Sequence, residues 1–269
     1  MKERKKVAIA YDADRTLLRE NHPNLILRAR GIDVEDFWKK ISKMQNEHKT
    51  EFPDSNPDIF YLTYMTAMAS KEGNPLSGLT IKEIEQIARQ QMHTLYYPGI
   101  PEFFREVKTD YSELDITHNI ISLGITEMLR ASDLGSCVDR IFANSLIQDP
   151  EIEALIVAGT DTSLEKDSAI KKISRGRYYG TETSGFEFPI SQMICVGDGE
   201  SDKEMFRQVL RQGGLAICVY DTSIEGDEQR ATALAKRIKG LSVAPSEYRA
   251  GSNFRNLISQ RLDEIQKAV

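Results

Sequence analysis

Short apolar runs of strand length, separated by segments with helical periodicity, constrain the fold of this chain more than any other feature. The first run, residues 7–10, contains β-branched side chains and is typical of a buried strand in a parallel sheet. Later runs alternate with helical patterns, which predicts an α/β fold with a doubly wound, parallel, right-handed sheet. We expect 155–158 to be a hairpin arm or the edge of this sheet. The other runs are 118–123, 140–147, 193–196, 215–220 and 241–244.

Residues 20–97 interrupt the alternation, because they contain helical patterns and no convincing strand. Asp33 and Asp58 are each predicted to cap a helix, and Thr80 with Glu83 forms a capping-box pattern before another. A crossover between parallel strands needs only about a dozen residues. The segment is therefore predicted to be an inserted all-helical domain. The expected boundaries are 1–19 and 98–269 for the α/β core and 20–97 for the insertion.

Glycines and capping residues also predict helix ends within the sheet domain. Gly135 is expected to end a helix that begins at Ile125, since glycine adopts the left-handed conformation at low cost. Ser163 is expected to begin another helix. Ser201 and Glu204 form a second capping-box pattern, which predicts a helix start at that point.

The composition is that of an ordinary globular protein. Hydrophobic residues make up 40% of the 269 residues and charged residues 28%, and the longest apolar runs are far shorter than a membrane span. The N-terminal residues lead directly into a strand, without an apolar secretory segment. A formal net charge of -6 argues against a nucleic-acid-binding surface, which needs a basic stripe. We therefore expect a soluble cytoplasmic protein with neither nucleic-acid nor membrane partners.

Neither the cysteines nor the histidines have the spacing of metal ligands. The three cysteines, Cys137, Cys195 and Cys218, are expected to be reduced residues of the core. The four histidines are scattered along the chain, which argues against a zinc site.

Polar residues follow several of the predicted strands or begin the helices after them. Because the carboxyl ends of parallel strands share one edge of a sheet, these residues can converge there. Singly, each has an ordinary explanation as a turn, a cap or a solvated side chain. Their joint occurrence in this order favours an active site. The residues are Asp12 with Asp14 and Thr16, then Ser122, Lys166, and Asp198 with Asp202.

The same order resembles a known family. DADRT after the first strand, a strand ending in serine, an isolated lysine and a strand followed by GDGESD resemble the four-part signature of the haloacid dehalogenase superfamily. The resemblance covers the whole predicted sheet domain and implies a Rossmann-like core. The insertion resembles the cap domain of phosphoserine phosphatase-like members. Arg15 departs from the small or polar residue expected there, and the sequence leaves open whether it faces the cap, the substrate or solvent.

The resemblance implies roles for individual residues. Asp12 would attack phosphorus and form an aspartyl-phosphate, with Asp14 as general acid and then general base. The phosphoryl oxygens would be bound by the side chains of Ser122 and Lys166 and by backbone N–H groups at Leu123 and Gly124.

A magnesium site is implied as well. By resemblance, the metal would be bound by the side chains of Asp12 and Asp198 and by the backbone carbonyl of Asp14. Asp202 would assist from the outer shell of the metal or pair with Lys166. Electrostatic repulsion supports this expectation. Two like charges about 4 Å apart repel by roughly 4 kcal/mol at an effective dielectric near 20, so the four aspartates could share one edge of the sheet at low cost only with a cation among them. Carboxylate, carbonyl and water oxygens suit Mg²⁺.

The sequence therefore predicts a Mg²⁺-dependent phosphatase that acts on a small phosphorylated metabolite. The resemblance implies that members which dehalogenate carbon substrates lack a carboxylate at the position of Asp14, because no leaving oxygen then needs a proton, so Asp14 favours ester hydrolysis. Two alternatives stay open: a phosphotransferase or phosphomutase with the same intermediate, and a non-catalytic binding protein of the same fold. Phosphoserine, nucleotides and sugar phosphates are all candidate substrates. The residues considered for substrate contact are Glu20, Arg28, Arg30, Trp38, His48, Tyr61 and Tyr64.

Overall fold

The protein is described by a computed structural model, which covers residues 4–49, 57–151, 154–159, 166–176 and 188–268. Within these residues, seven strands form one sheet. The strands are β1 (Lys5–Tyr11), β2 (Leu114–Ile125), β3 (Arg140–Gln148), β4 (Leu155–Gly159), β5 (Ile194–Gly197), β6 (Leu215–Tyr220) and β7 (Ser242–Pro245).

Helices connect the strands and cover the sheet. Five of them, α1 to α5, lie between β1 and β2 among the described residues, and α1 to α4 fall within the segment 20–97 predicted to be helical. Among the described residues, no helix is both long and apolar enough to cross a membrane. The helices are α1 (Asn24–Ala29), α2 (Val34–His48), α3 (Pro57–Ala69), α4 (Ile81–Gln91), α5 (Glu102–Asp110), α6 (Thr126–Ala131), α7 (Asp133–Cys137), α8 (Lys166–Ser174), α9 (Lys203–Arg211), α10 (Asp227–Arg237) and α11 (Asn253–Lys267).

The strand order is β4-β3-β2-β1-β5-β6-β7, which confirms the predicted doubly wound α/β fold. The central strand β1 pairs in parallel with β2 on one side, where Ile9 is opposite His118, and with β5 on the other, where Ile9 is opposite Ile194. Strands β2 to β4 are added on one side of β1 and strands β5 to β7 on the other, so the strand order changes direction at β1, the position where ligands bind in open α/β sheets. Strand β4 pairs antiparallel with β3 at the edge, as expected for residues 155–158.

Side chains of β1 alternate between two apolar clusters on opposite faces of the sheet. Val7, Ile9 and Tyr11 belong to the cluster that includes residues of α5 and α11. Ala8 and Ala10 belong to the second cluster, with residues of α8, α9 and α10. This is the layered arrangement expected for a parallel sheet that is buried on both faces.

Helices α1 to α4 share the first of these clusters, so their apolar residues pack continuously with one face of the sheet. Two of the predicted caps are confirmed. The side chain of Asp33 accepts a hydrogen bond from the backbone N–H of Asp36 at 2.8 Å, and Thr80 Oγ1 accepts from the N–H of Glu83 at 3.2 Å. The predicted cap at Asp58 is wrong, because α3 already begins at Pro57.

Two predicted helix ends in the sheet domain are also wrong. Gly135 lies inside α7, because Ser132 is extended (ψ 175°) and divides the expected helix into α6 and α7. Ser201 does not cap a helix, since it lies within a 3₁₀ turn at Glu200–Asp202 that precedes α9. In that turn the carboxylate of Asp202 accepts a hydrogen bond from the N–H of Gly199 at 3.0 Å. The predicted start at Ser163 lies outside the described residues.

Candidate active site

Asp12 follows the last residue of β1 and is fixed there by its backbone, whose N–H donates to the carbonyl of Val196 at 2.8 Å. The chain then turns tightly, with the N–H groups of Thr16, Leu17 and Leu18 all directed at the carbonyl of Ala13. Arg15 makes this turn possible by adopting a left-handed conformation with φ 59°. The turn brings Thr16 Oγ1 within 3.2 Å of Asp12 Oδ2, to which it donates.

Lys166 links two of the predicted site carboxylates. Its Nζ donates to Asp12 Oδ1 and to Asp202 Oδ1, each at 2.7 Å. All three side chains are buried, and Asp202 is completely inaccessible to solvent. Burial opposes the charged form of Lys166, but the attraction of the two carboxylates outweighs it and raises the pKa of this lysine. Lys166 is therefore a charged residue of the interior.

The environment of Asp12 and Asp198 disfavours the charged forms of their carboxyl groups. Burial raises the pKa of Asp12 well above its usual value; Lys166 opposes this rise, and the negative charges of Asp202 and Asp198 add to it. Burial, followed by the charge of Asp202, raises the pKa of Asp198 to about 6. Arg230 and Arg15, which lie 3.7 Å and 3.9 Å from Asp198 Oδ2, oppose this rise together with Lys166 but do not cancel it.

The acidic cluster has the donor set of a cation site. Carboxylate oxygens of Asp12, Asp198 and Asp202 lie within 4.8 Å of one another. An all-oxygen set of carboxylates suits a hard divalent cation such as Mg²⁺. The side chain of Asp14 is not part of this cluster.

Asp14 is instead bound to His22, a residue that sequence reasoning missed. Asp14 Oδ1 accepts hydrogen bonds from the backbone N–H of His22 at 2.9 Å and lies 2.7 Å from His22 Nδ1. The other ring nitrogen, Nε2, accepts from the N–H of Ile125 at 2.8 Å. The ring is fully buried and joins the turn after β1 to the end of β2. No short-range sequence pattern signals this contact, because His22 and Ile125 are 103 positions apart.

The end of β2 carries the predicted phosphate-binding residues. Ser122 is fully buried, and its Oγ accepts a hydrogen bond from the N–H of Gly124 at 3.0 Å. Leu123 lines a cavity over the acidic cluster, whereas Ser122 and Gly124 do not. Its carbonyl accepts from Tyr61 Oη at 3.0 Å and from Asn144 Nδ2 at 2.6 Å.

This cavity has a volume of about 340 Å³. Asp12, Asp14, Lys166 and Asp198 lie on its sheet side. The opposite wall comes mainly from one face of α2, with Tyr61 from α3. The remaining lining residues are Arg15, Asn21, Pro23, Trp38, Ile41, Ser42, Gln45, Leu123 and Ser201.

Charged residues near the cavity are mostly paired. Arg15, whose side chain is 45% exposed, lies 3.9 Å from Asp198 and 3.8 Å from Asp227. Glu20 binds Arg28 and Asn24 and does not line the cavity. Arg30 binds Glu83, away from the cavity. His48 and Tyr64 also lie outside the lining, whereas Trp38 and Tyr61 are part of it.

Comparison with known proteins identifies the fold. No family model matches the chain. An uncharacterised protein of Borreliella burgdorferi is 20% identical over 97% of this chain and 99% of its own length. A substrate-bound phosphoserine phosphatase superposes with a TM-score of 0.57 at 18% identity, covering 96% of this chain and 99% of that one. A HAD family hydrolase from Salmonella enterica serovar Typhi gives 0.56 at 16% identity, covering 88% and 67%.

The chain has the haloacid dehalogenase fold. The resemblance noted in the sequence is thereby confirmed at the level of the fold. In this haloacid dehalogenase fold, the residues brought into direct contact are Asp12, Lys166 and Asp202, with Asp198 adjoining them.

Proposed function

We propose that this protein is a Mg²⁺-dependent phosphatase that hydrolyses the phosphate monoester of a small metabolite through an aspartyl-phosphate on Asp12. The observation that carries the proposal is the buried carboxylate of Asp12 on the cavity wall, held by Lys166 and Thr16 and flanked by Asp14. The haloacid dehalogenase fold, shared with a phosphoserine phosphatase, supports it.

In the proposed first step, a carboxylate oxygen of Asp12 attacks phosphorus, and a P–O bond forms while the bond from phosphorus to the ester oxygen breaks. Lys166 and Thr16 each bind one oxygen of Asp12 and so fix its orientation before the substrate binds. Water then attacks the phosphorus of the aspartyl-phosphate. This second step releases inorganic phosphate and restores the carboxylate of Asp12.

Asp14 is proposed to transfer the protons. It lines the cavity beside Asp12, with a side chain that is 19% exposed. In the first step it donates a proton to the departing ester oxygen, and in the second it accepts one from the attacking water.

We propose that Mg²⁺ binds to the side chains of Asp12 and Asp198 and to the backbone carbonyl of Asp14. Of the three clustered aspartates, Asp12 and Asp198 line the cavity and Asp202 does not, which supports this assignment. When bound, the cation would supply positive charge to the phosphoryl group, since phosphoryl transfer is catalysed mainly by positioning and electrostatics.

Ser122, Lys166 and the N–H groups of Leu123 and Gly124 are proposed to bind the phosphoryl oxygens. The N–H of Gly124 donates to Ser122 Oγ. Phosphate binding by this N–H would therefore exchange one hydrogen bond for another, charge-assisted one.

Residues 20–97 are proposed to act as a cap over a core formed by residues 1–19 and 98–269. Cavity-lining side chains from α2 and the hydrogen bond from Tyr61 Oη to the carbonyl of Leu123 support this division. A cap at this position would exclude bulk water during phosphoryl transfer.

The cap wall also suggests the chemistry of the leaving group. Within the described residues, the side chains that α2 and α3 contribute to the cavity are uncharged, namely Trp38, Ile41, Ser42, Gln45 and Tyr61. A buried ammonium or carboxylate group that contacts this wall would lose its hydration without gaining an ion pair from these side chains of α2 and α3. We therefore propose a small ester whose leaving group is uncharged, in preference to phosphoserine.

Hydrolysis of p-nitrophenyl phosphate with and without Mg²⁺ tests the proposal. We expect Mg²⁺-dependent turnover that Asp12→Asn reduces by more than about 10³-fold, because the nucleophile is lost. Asp221→Asn is the matched control, since Asp221 is also a buried aspartate beyond a strand end but does not line the cavity. Equal turnover in Asp12→Asn and the native protein would contradict the mechanism.

Two other outcomes would select the alternatives. Diversion of the phosphoryl group to added alcohols or sugars, in preference to water, would indicate a phosphotransferase. Absence of both turnover and Mg²⁺ binding would indicate a non-catalytic binding protein.

A further inference from the structure

A buried histidine connects the proposed proton donor to the backbone of the neighbouring strand. His22 contacts Asp14 through both its backbone N–H and its ring Nδ1, while its Nε2 receives the N–H of Ile125. We propose that His22 is a positioning residue that fixes the carboxyl group of Asp14 for proton transfer to the leaving oxygen. This inference rests on the phosphatase function proposed above.

The backbone of β2 determines the tautomer of His22. An amide N–H can only donate, so Nε2 must offer its lone pair to Ile125. In the neutral imidazole the proton then lies on Nδ1, which donates to Asp14 Oδ1 at 2.7 Å. The imidazole is therefore a fixed donor directed at Asp14, and no solvent reaches it to offer an alternative partner.

The two oxygens of Asp14 are thereby made different. Oδ1 accepts both hydrogen bonds from His22, whereas Oδ2 has no hydrogen-bond partner among the described residues. Rotation of the carboxyl group would break two bonds at once. Oδ2 is left as the oxygen that can carry the proton to a leaving group in the cavity.

Gly124 provides the space that the ring occupies. A Cβ atom at this position would lie 1.8 Å from His22 Cε1 and 2.4 Å from Nε2, distances at which no side chain fits. The end of β2 therefore contributes both an amide that binds the ring and a glycine that admits it. This complementarity between two distant segments is specific to the histidine.

Two substitutions separate the hydrogen bonds of the ring. His22→Asn places an amide donor near the position of Nδ1 and keeps the bond to Asp14. His22→Gln places an acceptor near the position of Nε2 and keeps the bond to Ile125 instead. Both variants retain the backbone bond from residue 22 to Asp14 and replace the ring by a primary amide, the Asn side chain being shorter than the Gln side chain by one methylene group.

The readout is kcat/KM for two esters that differ in their need for an acid. The leaving group of p-nitrophenyl phosphate is p-nitrophenolate, a weak base that departs without a proton. The leaving group of β-glycerophosphate is an alkoxide, a strong base that must be protonated as it departs. We expect His22→Gln to lower kcat/KM for the alkyl ester about 10-fold more than for the aryl ester, a part of the ~10²–10⁴-fold that general acid–base groups contribute. His22→Asn should restore most of that difference.

His118→Gln is the matched control, because His118 is a second fully buried histidine whose ring partners, Tyr11 and Phe104, lie outside the cavity lining. It should leave the ratio between the two esters unchanged. Equal losses on both esters in His22→Gln, or equal behaviour of His22→Gln and His22→Asn, would overturn the proposal.

The tautomer is tested independently of activity by ¹⁵N NMR of the native protein. A proton on Nδ1 of His22 is expected, and a proton on Nε2 would overturn the proposal whatever the kinetics. Absence of turnover of either ester by the native protein would instead refute the phosphatase function. The catalytic part of the present proposal would then fail with it, whereas the NMR spectrum would still report the tautomer.

Discussion

The carboxyl edge of the sheet and the core beneath it each contain a fully buried histidine with two ring hydrogen bonds. In the core, His118 Nε2 donates to the carbonyl of Phe104 at 3.1 Å, so Nδ1 accepts from Tyr11 Oη at 3.0 Å. At the edge, His22 binds a backbone amide and the carboxylate of Asp14. The two histidines are equally buried and each makes two hydrogen bonds through its ring, but the partners of those bonds differ.

The difference shows that burial alone does not separate structural from functional histidines. The partners of His118 are a carbonyl and a phenol enclosed by aromatic rings, and burial lowers the pKa of this histidine to about 3. One partner of His22 reaches the cavity. A substitution at His118 should therefore change stability, whereas one at His22 should change chemistry as well.

Gly124→Ala should have the largest effect of the substitutions at the carboxyl edge of the sheet, because it should separate His22 from Asp14. The added methyl group would overlap the ring of His22, which must then leave Asp14. We expect about a 10³-fold loss of kcat/KM with β-glycerophosphate, within the range of a lost general acid. Steady-state kinetics measures the loss.

The double variant Gly124→Ala/His22→Ala tests the cause of that loss. If the overlap with the ring is responsible, the two substitutions should be strongly non-additive, and the double variant should be no worse than His22→Ala alone. Additive losses would show that Gly124 acts independently of His22.

The contribution of the core histidine, His118, to the stability of the protein should depend on pH. His118 has a folded pKa of about 3, below the unfolded value near 6.5, so acid favours the unfolded chain. The contribution of neutral His118 to the free energy of unfolding is complete above about pH 6.5 and decreases as the pH falls towards 3. Between pH 7 and 4.5, the stability difference between the native protein and His118→Gln should narrow by roughly 2–3 kcal/mol.

Urea unfolding at the two pH values measures this change. His93→Gln is the control for the removal of an exposed histidine. A constant difference for His118→Gln would mean that the core histidine titrates normally.

Mg²⁺ should stabilise the protein only through the edge region. At ten times its dissociation constant, a ligand that binds only the folded state adds about 1.4 kcal/mol, which corresponds to about 3–6 °C in Tm. Asp198→Asn should abolish most of this shift, and Asp221→Asn should preserve it. Thermal unfolding of both variants during a Mg²⁺ titration measures the shift in Tm. A shift that persists in Asp198→Asn would show that the cation binds at another site.

Local sequence signals predicted much of the fold. Apolar runs located the strands, and side chains such as Asp33 and Thr80 located helix starts, because each effect acts within a few residues. Predictions failed where a distant or competing interaction decided the conformation. Ser201 matched a capping pattern, but the backbone N–H of Gly199 already binds Asp202, whose other oxygen binds Lys166.

The candidate site was predictable to the extent that topology determines it. Strand ends share one edge, so Asp12 and Asp198 could be expected to lie near each other without knowledge of side-chain contacts. The conformation of Arg15 and the partner of Asp14 could not be expected. Both depend on how the turn after β1 packs against β2, and the only sequence trace of that contact is a glycine, Gly124, near the end of an apolar strand.

The shared apolar cluster has a consequence for how the molecule unfolds. Leu27 and Ile84 of the helical insertion belong to the same cluster as Ile9 and Ile120 of the sheet. Neither part can lose its structure without exposing apolar surface of the other, so the insertion and the sheet should melt in one cooperative transition.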